Sequence, residues 1–414
     1  MNKKKVIIIG GGFAGLHLSK GLPANLFEVI LIDKVNHHQF QPLFYQVASS
    51  RLEPSNISFP FRKILQKLKH INFVLGNVLS VDPKMNSVIT DNGNYTYDHL
   101  VIATGCKTNF YGNKELETHS LTMKSTFEAI TIRNQILLNL ENAVTKKEDS
   151  FFNIVLVGGG PTGVELAGAF AEMKKNILPK DYPHHNFSKL KIILIEGSPN
   201  ILNQMAVESQ QASRKYLEEL GVQLITNTTV KSYDGATVLL SSGELLACQN
   251  LIWAAGVTGN LLNGINTDAI TKSNRYTVNR YNKVNDEINI FAIGDIALMK
   301  TEKYPGGHPQ LANVAINQGN RLAKNLIAMV QQKPMKEYEY TDLGVMATVG
   351  KHKAVVELPF IKFSGYLAWF VWMFLHLMLI LSVRNKLMIF INWGWNYLTN
   401  DNSLRLIFKN PKVK

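Results

Sequence analysis

Cysteine is almost absent from this chain: two residues, Cys106 and Cys248, in 414. So sparse a supply excludes a disulfide framework, a four-cysteine zinc site and the paired thiols through which dithiol flavoenzymes pass electrons. Both read as structural thiols in a reducing compartment. Acidic residues are also short, 31 against 44 lysines and arginines, which leaves a net charge of +13. The surplus is scattered, and apart from Lys3-Lys4-Lys5 no block of one sign occurs. That dispersal argues against a nucleic-acid partner and leaves an anionic membrane surface or acidic ligands open. Long polar low-complexity tracts are missing, which excludes extensive disorder. The first apolar run, Val6–Ile9, stops at Gly10-Gly11-Gly12 and is too short for the hydrophobic part of a signal peptide. The body of the chain is therefore expected in the cytoplasm.

What is present is a repeated pattern. Val6–Ile9 is a short β-branched run of the kind that forms a buried parallel strand. It leads into Gly10-Gly11-Gly12-Phe13-Ala14-Gly15, a G-x-G-x-x-G sequence, and then into an expected helix. A second strand, Phe27–Ile32, ends at Asp33, about twenty residues on, where a ribose-binding acid belongs. Gly10 makes the tight turn, Gly12 lets the backbone approach a pyrophosphate, and Gly15 permits close helix–strand packing. The helix N-terminus adds free N–H groups and partial positive charge.

The same order recurs at Ile154–Val157, with Gly158, Gly160 and Gly163 in the fingerprint and the strand Lys191–Ile195 ending at Glu196. Here the second strand is delayed by "KKNILPKDYPHHNFSKLK", which reads as an insertion. Glu196 would accept hydrogen bonds from ribose hydroxyls and repel a 2′-phosphate, which favours NADH over NADPH. A second matched pair, "DHLVIATG" at Asp98–Gly105 and "QNLIWAAG" at Gln249–Gly256, extends the duplication. Two nucleotide domains fit a flavoenzyme better than a simple dehydrogenase, since one can hold FAD permanently while the other admits a nicotinamide. Outside both repeats, "INIFAIGDIALM" places Gly294-Asp295 at a strand end, where an acid can bind flavin hydroxyls.

Together, both fingerprints, Ala103-Thr104-Gly105, Ala254-Ala255-Gly256 and Gly294-Asp295 resemble the two-dinucleotide-binding flavoprotein reductases, over residues 1 to about 335. That resemblance implies that FAD is held by Gly10, Gly12, Gly15, Asp33, Ala103, Thr104 and Gly105, with Asp295 closing over the flavin. It implies NADH at Gly158, Gly160, Gly163, Glu196, Ala255 and Gly256. The stretches Asn36–Leu65, Ala103–Asn113 and Asp342–Val356 resemble type II NADH dehydrogenases, the non-pumping NADH:quinone oxidoreductases. The family's quinone-side motif, A-Q-x-A-x-Q, is matched by Ala312–Asn317 with both glutamines replaced, by Asn313 and Asn317. Asparagine keeps the amide and shortens the reach by one methylene; alternatively the pair, at i and i+4, only lines a helix face. Glu165 aligns with a family glutamate at the meeting of flavin and nicotinamide, where a carboxylate orients the carboxamide or assists proton delivery. It also reads as a helix N-terminal charge favoured by the dipole. The histidine pairs His37-His38 and His184-His185 lack companions at ligand spacing, so no metal is expected.

From Phe363 to Val383 no charged residue occurs, a length that as one helix would cross a hydrocarbon core of about 30 Å. A break is expected at Arg384-Asn385-Lys386, followed by "LMIFINWGWNYL". Trp369, Trp372, Trp393 and Trp395, with Lys362, Arg384 and Lys386, make the mixture found at membrane interfaces. Hydropathy leaves spanning and surface attachment open, with a buried dimer helix as a third reading. The family resemblance implies in-plane helices, so monotopic attachment to the cytoplasmic face of the cell membrane is expected, with a homodimer left open.

The expected fold is α/β, with two Rossmann-like domains. An FAD domain covers 1–111 and 263–335, an inserted NADH domain 112–262, and a C-terminal membrane-binding segment 336–414. The expected activity is electron transfer from NADH through FAD to a membrane quinone, without proton pumping. The rivals are a soluble NADH-dependent reductase serving a ferredoxin-like protein and a non-catalytic membrane-tethered NADH sensor; sulfide:quinone oxidoreduction, a nearby variant of the first, needs redox cysteines, for which Cys106 and Cys248 are too few.

Overall fold

The computed structural model describes residues 2–146, 153–401 and 404–408. Stretches 147–152, 402–403 and 409–414 of the expected NADH and C-terminal segments lie outside the described residues. The chain forms two compact units, one of residues 1–39, 59–107 and 257–341, the other of 40–58, 108–256 and 342–414.

The first unit is built on a five-stranded parallel sheet. In spatial order its strands are Ile290–Ala292, His99–Ile102, Lys4–Ile9, Phe27–Asp33 and Ile71–Leu75. Val6–Ile9 are buried, as a parallel strand covered on both faces requires. The helix Phe13–Gly21 follows the first strand and packs against the helix Ala312–Val330. Their backbones meet where side chains are absent: a Cβ on Gly319 would lie 2.5 Å from the Ala14 carbonyl oxygen. A three-stranded antiparallel meander, Val78–Asp82, Ser87–Thr90 and Gly93–Thr96, belongs to the same unit.

The second unit repeats that plan. Its four-stranded parallel sheet runs Asn250–Trp253, Asn153–Val157, Lys191–Ile195, Val222–Ile225, which is the first unit's order without the outermost strand. A second meander, Val230–Tyr233, Thr237–Leu240 and Leu245–Ala247, stands in the matching place. The insertion is irregular, with the short helix Leu178–Asp181 and a 3-10 turn at Phe187–Lys189. The same unit carries a three-stranded antiparallel sheet of Val345–Thr348, Ala354–Leu358 and Ile361–Ser364, then the helices Tyr366–Leu379 and Val383–Thr399.

The compact units differ from the three expected segments chiefly at two places, with smaller boundary shifts at 108–111, 257–262 and 336–341. Residues 40–58 join 108–256, because the helix Phe44–Ala48 packs on the helices Thr126–Lys146 and Pro161–Asn176. The C-terminal residues also pack into that unit. The Gly350 turn lies against the helix Pro161–Asn176 so closely that a Cβ on Gly168 would sit 2.9 Å from the Gly350 nitrogen.

The C-terminal apolar run is not one helix. Phe363 belongs to a strand, Gly365 turns with φ +85°, and the helix that follows has 14 residues, about 21 Å against the ~30 Å of a hydrocarbon core. The break falls at Ile380-Leu381-Ser382 rather than at Arg384-Asn385-Lys386, with Ser382 extended at the N-cap position. Asn385 lies inside the second helix, buried, its side-chain amide donating to the carbonyls of Ser55 and Asn56 at 2.9 Å each. Trp372 and Trp393 are buried in protein, whereas Trp395 is 60% exposed. Among the described residues no helix is long and apolar enough to cross a membrane.

Candidate functional site

Each fingerprint folds into a cradle of the same design. Gly10 and Gly158 sit at φ +103° and +110°, where a side chain would be strained. A Cβ on Gly10 would meet the Ala103 oxygen at 2.3 Å, and one on Gly158 would meet the Ala254 carbonyl carbon at 2.8 Å. Thus the ATG and AAG strands close against the fingerprint turns, joined by Ala103 N–H to Ile9 O and Ala254 N–H to Val157 O, both 2.8 Å. Gly15 and Gly163 pack tightly too, each 1.9 Å from a carbonyl oxygen if given a Cβ. Gly12 and Gly160 differ, because a Cβ there would meet nothing within 4 Å. They cap helices that have no side-chain N-cap, which leaves backbone donors facing open space. That is the cradle a dinucleotide pyrophosphate fits.

The acids at the ends of the second strands are held alike. Asp33 Oδ2 accepts from Gly11 N–H at 2.6 Å and Oδ1 from Val35 N–H at 2.9 Å. Glu196 Oε2 accepts from Gly159 N–H at 2.5 Å and Oε1 from Ser198 N–H at 2.7 Å. Each carboxylate keeps lone pairs for ribose hydroxyls. Burial pushes the Asp33 carboxyl above its ordinary range despite its two backbone donors. Behind the first cradle, His38 is buried with Nδ1 3.0 Å from the Gly11 carbonyl oxygen. Burial lowers its pKa to about 4, so a neutral ring donates from Nδ1 and fixes the turn.

Asp295 follows Gly294, which has φ +74°. Its Oδ2 accepts from the Cys106 thiol at 3.2 Å, and its carbonyl accepts from Arg275 Nε at 3.0 Å and Gln310 Nε2 at 3.1 Å. Gln318, next to the asparagine motif, is buried and accepts from Gly294 N–H at 2.7 Å, so the glutamine present in this segment anchors the Gly294-Asp295 turn. Thr104 donates to the Asn260 carbonyl at 2.7 Å. Asn313 is half-buried at the start of its helix, its Oδ1 2.7 Å from the Val314 nitrogen. Asn317 is exposed and lines a polar cavity of about 310 Å³ with Arg321, Lys324 and Glu339.

In the second unit, Gly256 has φ +80° and a Cβ there would reach the Tyr111 hydroxyl at 2.2 Å. Ala255 O accepts from the Trp253 indole at 2.8 Å. Glu165, in the first turns of the helix Pro161–Asn176, has one weak partner, Thr348 N–H at 3.5 Å. Desolvation pushes its pKa up to about 8, which keeps it protonated at neutral pH. Thr348 Oγ1 lies 3.1 Å from the Tyr45 hydroxyl, which accepts from Gln46 Nε2 at 3.0 Å, and Gln46 Oε1 accepts from the Trp393 indole at 2.8 Å. A buried polar chain thus links Trp393 of the last helix to the surroundings of Glu165. Beside it Arg51 pairs with buried Glu172, which also accepts from Lys351 N–H.

Sequence reasoning missed His38, Gln318, Tyr45, Thr348 and the Arg51–Glu172 pair. The "HH" doublet and the glutamine after the asparagine motif were visible, but what each touches was not.

Two dinucleotide cradles of one design within a single chain define the class, a pyridine-nucleotide flavoprotein oxidoreductase. Residues 4–319 match the family model described as pyridine nucleotide-disulphide oxidoreductase, and residues 343–400 match the NDH2 C-terminal domain. The Type II NADH:quinone oxidoreductase NdhA of Mycobacterium tuberculosis is 31% identical over 418 residues, covering 96% of this chain and 87% of its own. The same organism's Type II NADH:quinone oxidoreductase Ndh is 29% identical, covering 96% and 89%. In fold, the chain is similar to NDH2 from Plasmodium falciparum, solved in complex with NADH, with a TM-score of 0.89 at 20% identity over 99% of this chain and 100% of that one. The chain belongs to the type II NADH:quinone oxidoreductases, within the pyridine nucleotide-disulphide oxidoreductase family.

Proposed function

We propose that this protein oxidises NADH and reduces a membrane quinone through FAD, without pumping protons. The observation that carries this reading is the pair of open cradles, Gly12 with Asp33 and Gly160 with Glu196, in a chain of this family. Bound FAD supplies a two-electron carrier between nicotinamide and quinone. The protein's own residues hold and orient. Uncapped helix N-termini at Gly12 and Gly160 take the pyrophosphates, and Asp33 and Glu196 take the adenosine riboses. Asp295, its backbone carbonyl held by Arg275 and Gln310, would accept from the flavin's hydroxyls. Glu165, its pKa raised by burial to about 8, keeps its proton at neutral pH. Of the two asparagines, Asn313 is the proposed amide contact to a quinone oxygen, since Asn317 lines a strongly polar cavity.

The two last helices hold the protein on the cytoplasmic face of the membrane without crossing it. Support comes from their faces. Ala368, Trp372, Asn385, Ile389 and Trp393 point inward, while Leu367, Phe374, Val383, Leu387, Phe390 and Leu398 are each more than half exposed. An apolar surface of that kind requires a cover, and lipid is the cover that a lipid-soluble acceptor demands.

The test is purification of the full chain in detergent, a visible spectrum, and NADH oxidation with and without added quinone. Bound flavin and quinone-dependent turnover are expected. A colourless protein that takes up no FAD, or a flavoprotein reduced by NADH that never turns over with quinone, overturns the reading.

A further inference from the structure

The helix Ala312–Val330 has two working faces. Its buried face carries Gln318, which fixes Gly294. Its outer face forms the wall of the polar cavity of about 310 Å³, a volume at the small end of ligand sites. Asn317, Asn320, Arg321 and Lys324, spaced three and four apart, share that face. Neither Arg321 nor Lys324 has a carboxylate or hydrogen-bond partner among the described residues. Two like charges one turn apart repel mildly, so an anion seated between this unpaired pair of cations would be favoured.

The one carboxylate in the lining does not supply it. Glu339 Oε1 accepts from Thr301 Oγ1 at 3.0 Å and lies 3.1 Å from His308 Nε2, while Oε2 pairs with Arg280 at 3.1 Å. Both its oxygens are thus directed to other partners. Arg321 and Lys324 are donors only, and Asn317 and Thr341 add further donors from amide and hydroxyl. Asn320 completes the wall.

We propose that this cavity binds a small phosphorylated anion, gripped by Arg321 and Lys324 with Asn317 and Thr341 as secondary donors. A planar guanidinium beside a point-charge ammonium suits the several oxygens of a phosphate group. The cavity is larger than one phosphate, which fits a diphosphate or a phosphorylated metabolite. The site is separate from both fingerprints and does not depend on the electron acceptor.

Calorimetric titration of inorganic pyrophosphate tests it, using flavin-loaded full-length protein with saturating NAD+ so that the Gly160 cradle is filled. Saturable binding at one site per chain is expected, weakened at least tenfold in the double variant Arg321→Gln/Lys324→Gln. The control removes two exposed lysines elsewhere, Lys67→Gln/Lys69→Gln, and is expected to bind as the parent does. Absence of saturable binding overturns the proposal. Equal binding by the cavity variant overturns it too, as does an equal loss in the control, which would reduce the effect to bulk charge.

Discussion

A Cβ on Gly12 would point into open space, whereas one on Gly15 would lie 1.9 Å from the Gly10 carbonyl oxygen. Cradle and fold can therefore be separated by single substitutions. Gly12 has φ −64°, an ordinary value for alanine, so Gly12→Ala should fold with little change in stability. It should nonetheless retain FAD at least about tenfold less well, a loss of ~1.4 kcal/mol, read as flavin absorbance per chain after gel filtration. Gly160→Ala, at φ −72°, should keep its FAD and raise the KM for NADH by a similar factor. Parent-like flavin content in the first variant, or an unchanged KM in the second, would remove the open glycines from the cofactor sites. Glu165 offers a second separation. Burial raises its pKa from 4.5 to about 8, so the folded state holds this proton more tightly than the unfolded chain. Its contribution is full below pH ~4.5 and is lost as pH rises through about 8. Glu165→Gln should flatten that decline between pH 5 and 9 in thermal melts and remove the alkaline limb near pH 8 from the turnover profile. Melts that decline as steeply as the parent's would show the shift to be absent. The fingerprint glycines were legible because their spacing between strand and helix is itself the signal, although the groups that press on Gly10 and Gly158 come from the distant strands ending at Ala103 and Ala254. The chain Trp393–Gln46–Tyr45–Thr348 was not, because its members come from distant segments and only tertiary packing pairs them.

At the scale of elements, the strands Lys4–Ile9, Phe27–Asp33, Asn153–Val157 and Lys191–Ile195 could be read from short β-branched runs ending in glycine or an acid. The two meanders escaped, since their strands are short and half-exposed and carry no fingerprint, though they complete the duplication. The pair of C-terminal helices was legible, but the break between them falls at Ile380–Ser382 and not at Arg384–Lys386, because apolar composition reports a need for cover without saying whether protein or lipid provides it. The structure divides that need by face, and the division is testable. Replacing Phe374 and Phe390, both 60% exposed, with serine should alter the stability of the detergent-solubilised protein by no more than about 0.5 kcal/mol while reducing its flotation with lipid vesicles several-fold. Trp372→Ala should do the reverse. It removes a ring that is 1% exposed and stacked on His376 at a 4.0 Å centroid distance, and should cost about 3–5 kcal/mol of stability. Undiminished flotation of the double serine variant, in a protein that stays monomeric, would remove these faces from the membrane contact. A dimer that dissociates on the same substitutions would assign the cover to a second copy.

For the whole molecule, two forces can bring a chain of net charge +13 with an apolar face to a bilayer, and they answer differently to salt. The scattered charge attracts an anionic surface over about 10 Å at 0.1 M salt and only about 3 Å at 1 M. Burial of Leu367, Val383, Leu387 and Leu398 in the acyl boundary is not screened and is if anything strengthened by salting-out ions. If charge alone held the protein, 1 M salt would strip it from anionic vesicles and it would not bind neutral ones. If the apolar faces hold it, anionic lipid should quicken association at low salt, while the bound fraction survives 1 M salt and falls only with detergent. The second outcome is expected, measured by sedimentation of the full chain with vesicles of pure neutral and of mixed anionic phospholipid. Complete release at 1 M salt would leave the two helices without their assigned role. The quinone would then have to reach the flavin by some route other than a site held open at the lipid surface.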